Sequence, residues 1–225
     1  MNPFYLDFWP IVSKVWKDLF NITPVLGLIG NDESEIYYGG NGLVVKLKSI
    51  DGIDDGLLSQ LVRLYLPKFL NGNCIISDID MIPLSKKYFI DNLKIYDDND
   101  FIIMSSHHPQ TININQYPMC YVVGNDKTFK KLFNLDDDWV TFVRKIPNFG
   151  WYTDQEYLFK VINENNTIDF KFPNRVGGFN ENRIDRISWI YDVDKVKEGY
   201  YVDSHLLRPY SQYSEEINKL INYLI

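Results

Sequence analysis

Short apolar runs bounded by turn residues alternate along this chain with stretches of helical spacing, and that alternation predicts a layered α/β architecture. Residues 24–29 (PVLGLI), followed by GNDE, read as a buried strand and its loop; residues 42–47 (GLVVKL) read as a second strand. Residues 57–66 (LLSQLVRLYL) have helical spacing that stops before Pro67, because a residue ahead of proline is pushed out of the α region. Residues 74–77 (CIIS) form a short, continuous apolar strand of the kind buried on both faces. Residues 101–105 and 118–124 read as further strands, and residues 126–133, 136–144, 153–163 and 214–224 as helices. No repeat of fixed period and no Pro/Gly/Ser-rich linker divides the chain, so the pattern is read as one domain.

Composition narrows the reading. The chain has 225 residues, of which 45% are hydrophobic and 16% aromatic, enough to build a core and to exclude general disorder. A formal net charge of −7 argues against non-specific nucleic-acid binding, which rests on cationic contacts to phosphates. No apolar window approaches the roughly 18 residues of a membrane span. The start, MNPFYLDFWP, has no basic segment and carries Asp7 within its apolar stretch, a poor secretion signal; the expectation is a cytoplasmic protein. Cys74 and Cys120 both sit in apolar runs, NCIIS and PMCYVV, and read as buried thiols of a reducing compartment rather than as a disulfide framework. The chain contains no alanine, and its abundant residues have AT-rich codons, which points to a genome of extreme base composition and says nothing about chemistry.

The stretch that carries chemistry is residues 73–85, NCIISDIDMIPLS. In an extended chain Asp78 and Asp80 point to one side and Ile79 to the other. They follow a buried strand, and in open α/β sheets ligands bind at the carboxyl ends of strands. Two carboxylates on one side of a backbone repel each other unless a cation compensates, and a hard divalent ion, Mn²⁺ or Mg²⁺, suits them. On the helix at residues 57–66, Gln60 and Arg63 are three apart and share a face. That face suits a nucleotide's base or phosphate, since arginine offers forked donors to phosphate oxygens; the bland alternative pairs Arg63 with Asp54 or Asp55. In WYTDQEYL, Thr153 and Glu156 fit a capping box that would put Asp154 in a helix's first turn, where an acid is favoured with or without a catalytic role. Trp151 and Tyr152 offer apolar faces for stacking, and the pair His107–His108 before Pro109 reads as a surface loop that borders a ligand site at most. Asp136, Asp137 and Asp138 ahead of Trp139 read as a helix cap.

IISDIDMIPLS resembles the D-x-D loop of glycosyltransferases of the GT-A fold, most of all the small glycosyltransferase domains of large DNA viruses. The resemblance extends through FWPIVSKVW, LLSQLVRLYLP, YPMCYVVG, WYTDQEYL and DSHLLRPY. It implies a single GT-A-like α/β domain over residues 1–225, with a mixed, mostly parallel central sheet flanked by helices. A nucleotide-sugar-binding half would occupy about residues 1–105 and an acceptor-binding half about residues 106–225. It implies Asp78, Asp80 and the late His205 as ligands of Mn²⁺ or Mg²⁺, and donor contacts from Ile29, Gly30, Gln60, Arg63, Asp78, Ile79 and Arg208, with Lys197 as a further cation near the diphosphate. It also implies Asp154 as the catalytic carboxylate and Trp151 and Tyr152 on the acceptor side. The expected reaction moves a sugar from a nucleotide-diphosphate donor, a UDP-sugar first, to a hydroxyl of a glycan or glycoprotein. Two rivals stand beside it. A sugar nucleotidyltransferase would carry a Gly-rich basic loop where this chain has the acidic GNDESE, and an inactive glycan- or nucleotide-sugar-binding domain would not need Asp78, Asp80 and His205 together.

Overall fold

The computed structural model describes residues 3–104, 115–147, 150–173 and 182–224, a mixed α/β arrangement with three small sheets among the helices. In chain order the elements are α1 (Pro3–Leu6), α2 (Trp9–Phe20), β1 (Val25–Gly30), β2 (Glu35–Gly39), β3 (Gly42–Lys48), α3 (Asp55–Tyr65), β4 (Asn73–Ile76), β5 (Met81–Pro83) and β6 (Asp100–Ile103). There follow β7 (Val122–Asn125), α4 (Asp126–Phe133), α5 (Trp139–Lys145), α6 (Thr153–Glu164), β8 (Asp169–Lys171), β9 (Arg183–Ile184), α7 (Val193–Lys197), β10 (Asp203–His205) and α8 (Tyr210–Ile221).

The sheets run in the orders β1-β3-β2, β4-β7-β6-β8 and β5-β10-β9. Pairing is mixed: β1 with β3, β6 with β8 and β9 with β10 are parallel, while β2 with β3, β4 with β7, β6 with β7 and β5 with β10 are antiparallel. The one, mostly parallel sheet implied by the resemblance is therefore not the pattern among the described residues. Part of the reason is local. The two residues between β2 and β3 are too few for a crossover, so those strands must form a hairpin. Gly40 supplies the left-handed turn there with φ 64, and a Cβ at Gly42 would meet the Pro24 carbonyl oxygen at 2.2 Å.

The four-stranded sheet is buried on both faces, as the CIIS run predicts. Alternate residues feed two separate apolar clusters. Cys74, Ile76, Phe101, Ile103 and Val122 pack towards α3, α4, α5 and α6, around Leu58, Leu61, Phe129 and Phe142. Ile102, Met104 and Val123 face the opposite cluster with Val12, Val15 and Trp16 of α2 and Ile217 and Leu220 of α8. Phe89 is fully enclosed in that second cluster, with the rings of Trp16, Phe20, Tyr88 and Tyr121 at 4.6–6.0 Å and steeply tilted, the edge-to-face arrangement aromatic quadrupoles favour.

Local chemistry explains where elements begin and end. Asp54 accepts from the Gly56 and Leu57 amides at 2.9 and 3.2 Å, so α3 starts two residues ahead of its apolar pattern. At Leu66 the α-helix gives way to a 3₁₀ turn, Leu66–Phe69, whose first turn accommodates Pro67 without losing a hydrogen bond. Asp138 accepts from the Thr141 amide at 3.0 Å, which delays α5 to Trp139 and leaves Asp136 and Asp137 outside it. The strand expected at 118–124 begins only at Val122, because Tyr121 takes a left-handed φ of 70 and turns the chain. The helix expected at 214–224 begins at Tyr210 and carries a kink at Tyr213. Both cysteines are buried free thiols, and burial pushes each up to about 11. No helix among the described residues is long and apolar enough to cross a membrane.

One charged pair lies inside the third sheet. Arg183 of β9 donates from Nε and Nη2 to the two carboxylate oxygens of Asp203 on β10 at 2.8 and 2.7 Å, and both side chains are out of contact with water. Removing one partner strands a charge in the interior, whereas replacing both with apolar groups does not. Asp203→Ala is expected to lose about 3–5 kcal/mol of unfolding free energy in urea titrations, with Arg183→Met plus Asp203→Leu recovering most of it. A double variant no more stable than Asp203→Ala would show that the pair's position, not its charge, matters.

Candidate functional site

A cleft of about 1840 Å³ opens along residues 25–29 of β1, one face of α3, the segment after β4, the start of α6 and the end of β10. Ile29, Gln60, Arg63, Asp78, Ile79, Asp80, Trp151, Tyr152, Asp154, His205 and Arg208 all line it. Residues scattered over most of the chain thus meet in one place.

The two aspartates of the D-x-D run do not sit on an extended strand, as the sequence pattern predicts. Strand β4 ends at Ile76, the Met81 amide donates to the Asp78 carbonyl at 3.2 Å, and residues 79–80 form a turn. The turn sends the carboxylates to different partners in the same cleft. Asp78 accepts from Arg63 Nη1, and Arg63 Nε lies 3.7 Å from Asp154 Oδ2. Asp80, nearly buried, gathers Arg186 Nη1 at 3.0 Å, Arg208 Nε at 3.3 Å and His205 Nε2 at 3.3 Å around one oxygen, Oδ2. On the other side of the imidazole, His205 Nδ1 is 3.7 Å from Asp185 Oδ2. Arg208 also donates to the Tyr5 hydroxyl, and its guanidinium stacks over the Tyr5 ring at 5.0 Å.

Backbone pairing explains how His205 reaches Asp80. In the antiparallel register of β5 and β10, His205 lies opposite Met81, and the Leu206 amide donates to the Asp80 carbonyl at 2.9 Å. Two segments more than a hundred residues apart in sequence are thereby locked at the same level. Arg63, in the last turn of α3, meets Asp78 and Asp154 rather than Asp54 or Asp55, which sit at the opposite end of that helix.

Asp154 is 3% exposed, and burial pushes its carboxyl above the usual carboxylate range. Arg63 opposes that shift and the Asp78 charge adds to it. Burial also works against the charge of Arg63, yet Asp78 and Asp154 hold its pKa above the ordinary guanidinium value. The capping box at this helix start does not form. Thr153 Oγ1 donates to the Gly150 carbonyl at 2.8 Å, and Glu156 accepts from Gln116 Nε2 at 3.0 Å. A 3₁₀ turn, Gly150–Tyr152, runs straight into α6 and leaves Tyr152 in the cap position without a side-chain bond.

Two expected contacts fall elsewhere. Gly30 is not in the cleft wall; its carbonyl accepts from the Ser49 amide at 2.8 Å, and the following Asp32 is held by Lys46 at 2.7 Å. The Lys197 ammonium lies 5.9 Å from the Tyr223 ring, on the α7–α8 side, and is not a lining residue. His107 and His108 lie outside the described residues. Conversely, Arg186, Asp185 and Tyr5 belong to the charged cluster although nothing in their sequence surroundings singles them out. They sit in a turn and in the first helix, and only the β9–β10 pairing and the packing of that helix bring them in.

A divalent ion can be weighed against this geometry. Neighbouring donors of a six-coordinate ion with bonds of about 2.1 Å stand about 3 Å apart, and Asp80 Oδ2 and His205 Nε2 at 3.3 Å fit one such edge. Asp78 faces Arg63, and among the described residues no group of three His, Cys, Asp or Glu side chains stands close enough to surround an ion. Two of the three expected ligands are therefore placed together, but Asp80 Oδ2 also carries Arg186 and Arg208 and Asp78 carries Arg63, so both carboxylates would have to exchange guanidinium partners for the ion. No protein-family profile and no curated protein matches the chain.

Arg63 generates a test with a defined sign. A buried carboxyl with a raised pKa gives stability that is intact below the unfolded carboxylate range and lost as pH climbs through the raised value. Without Arg63, Asp154 moves further in that direction. Arg63→Gln is therefore expected to lose stability against wild type by about 1–3 kcal/mol at about pH 8 and by clearly less at about pH 5. Thermal melts at both pH values measure it, and an equal loss at both would show that Arg63 does not hold the Asp154 charge.

Proposed function

We propose that this protein is a metal-assisted glycosyltransferase of GT-A-like architecture that moves a sugar from a nucleotide-diphosphate donor, a UDP-sugar first, to a hydroxyl of a glycan acceptor. In this reading residues 1–225 act as one domain, with donor contacts chiefly in the first half and acceptor contacts in the second. The observation that carries it is the convergence of Asp78, Asp80, Asp154, His205, Arg63 and Arg208 on one cleft with exposed Trp151 and Tyr152 at its edge.

Each group has a task that its surroundings support. Asp80 and His205, joined by Asp78, would hold the divalent ion once the arginines on the two carboxylates turn to the ligand. When bound, the ion supplies Lewis-acid compensation for charge on the departing diphosphate. Arg63, Arg186 and Arg208 are fixed, forked donors already aimed into the cleft and suited to phosphate oxygens. Gln60, on the same face of α3 as Arg63, and Ile29 of β1 bound the space for the nucleoside. Asp154 takes the proton of the acceptor hydroxyl in an inverting reaction, and its burial makes its carboxylate a stronger base than an exposed one. Trp151 and Tyr152 present apolar faces on which an acceptor sugar stacks.

Donor binding is expected to depend on the metal. Titration calorimetry of UDP with Mn²⁺ and then in excess EDTA should show affinity falling at least about tenfold, or about 1.4 kcal/mol. Asp80→Ala and His205→Ala should reproduce that loss with Mn²⁺ present. Equal UDP affinity with and without metal would rule out the ion's role.

Asp154 is tested separately. Asp154→Asn is nearly isosteric and should keep the UDP affinity while the transfer rate falls by about 10²–10⁴-fold, the usual contribution of a general base. The wild-type rate should rise with pH through the raised Asp154 value, and the variant's should not. Transfer at the wild-type rate by Asp154→Asn would reduce the residue to a buried partner of Arg63.

A further inference from the structure

A second cavity of about 640 Å³ adjoins the main cleft, and Asp54, Gly56, Gln60 and Trp151 line both. Its own walls come from the α5 end, through Val143, Arg144 and Ile146, and from Leu57 and Leu61 of α3. A volume of this size suits a small ligand. Trp151 lines both spaces and is 71% exposed, so a large indole is left in water beside two cavities. Arg144 is exposed, lines only the second cavity and makes no ion pair among the described residues.

The polar groups of this cavity carry opposite charges. Arg144 offers donors only, while Asp54 offers acceptors, one oxygen of which is already engaged by the Gly56 and Leu57 amides. An anionic ligand would meet Asp54 and a cationic one would meet Arg144. Hydroxyl groups meet neither objection, because each one both donates and accepts. A ring carrying hydroxyls around its edge and C–H bonds on its face would satisfy the walls and cover the indole at once.

We infer that the second cavity is the subsite for a neutral hexopyranose unit of the acceptor, one unit removed from the accepting hydroxyl, with Trp151 as the stacking face and Asp54 and Arg144 as its hydrogen-bonding walls. This rests on the glycosyltransferase reading and deepens it: the acceptor is at least a disaccharide and is uncharged at this unit. The chain crosses Trp151, with its terminal hydroxyl towards Asp154 and the preceding unit in the second cavity.

The test is direct binding of the fluorescently labelled full chain to immobilised neutral and uronic-acid-containing oligosaccharides, in EDTA and without nucleotide. Neutral hexose oligosaccharides of two or more units should be retained over their monosaccharides and over the acidic set. Trp151→Ala and Arg144→Ala should each weaken retention at least tenfold, while Trp151→Phe, which keeps a stacking face, should hold within about threefold; melting curves establish that all three are folded. Retention of none of the glycans, preference for the acidic set or for monosaccharides, or unchanged retention by Trp151→Ala or Arg144→Ala would overturn the inference. Because neither donor nor metal is present, failure of sugar transfer leaves this readout intact, and transfer to acceptors without glycan retention would remove the subsite and leave the transferase reading standing.

Discussion

Carboxylates taken out of water need positive charge beside them, and the cleft of this protein is organised around meeting that need. Asp80 and Asp154 are almost wholly enclosed, and neither has a cationic neighbour in its own segment. Arg63 comes from α3, Arg186 from the turn after β9 and Arg208 from beyond β10. Ionic desolvation costs several kcal/mol per group, far more than a surface pair returns, so these contacts constrain where the three segments can lie. The buried Arg183–Asp203 pair acts in the same way one layer deeper, fixing β9 against β10 and hence Asp185 and Arg186 beside His205.

In the proposed reading, that arrangement would also serve an anionic ligand. Three guanidinium groups are held in place by carboxylates before any ligand arrives, so little side-chain entropy remains to be lost when phosphate oxygens replace or join those partners. The same carboxylates would repel a diphosphate that came without a cation. A cleft with fixed charges of both signs therefore favours a ligand and counter-ion entering together over a bare anion, which is the electrostatic logic behind the functional reading.

Packing gives this charged cluster a rigid support. The four-stranded sheet sends alternate residues into two apolar clusters, one under α3 to α6 and one under α2 and α8. Arg63 and Asp154 belong to helices anchored in the first cluster, while His205 belongs to β10 and Asp80 to the turn before β5, which border the second. The cleft lies where the two meet. Close-packed interiors resist small displacements, so a shift in either cluster would be felt as a change in the Arg63–Asp78 and His205–Asp80 contacts.

Much of this is legible in the residues themselves. Continuous apolar runs marked β1, β3, β4 and β6, and helical spacing marked α3, α4, α5 and α6, because strand and helix periods are local properties. The D-x-D run after β4 marked the cleft, since two acids between apolar segments have few other reasons to be there. Local pattern is silent on register. Nothing near Arg186 or Asp185 announces a site, and the three-residue strands β5 and β10 are too short to show a period. The extended geometry expected for Asp78 and Asp80 gave way to a turn, and the capping box at Thr153 to a back-bond, because both depend on what packs against them. The sequence by itself determined most of the charged residues that line the cleft and most of the elements they ride on. Tertiary pairing alone decided which carboxylate meets which cation, because that choice is made by long-range strand register and by the cost of burying a charge alone.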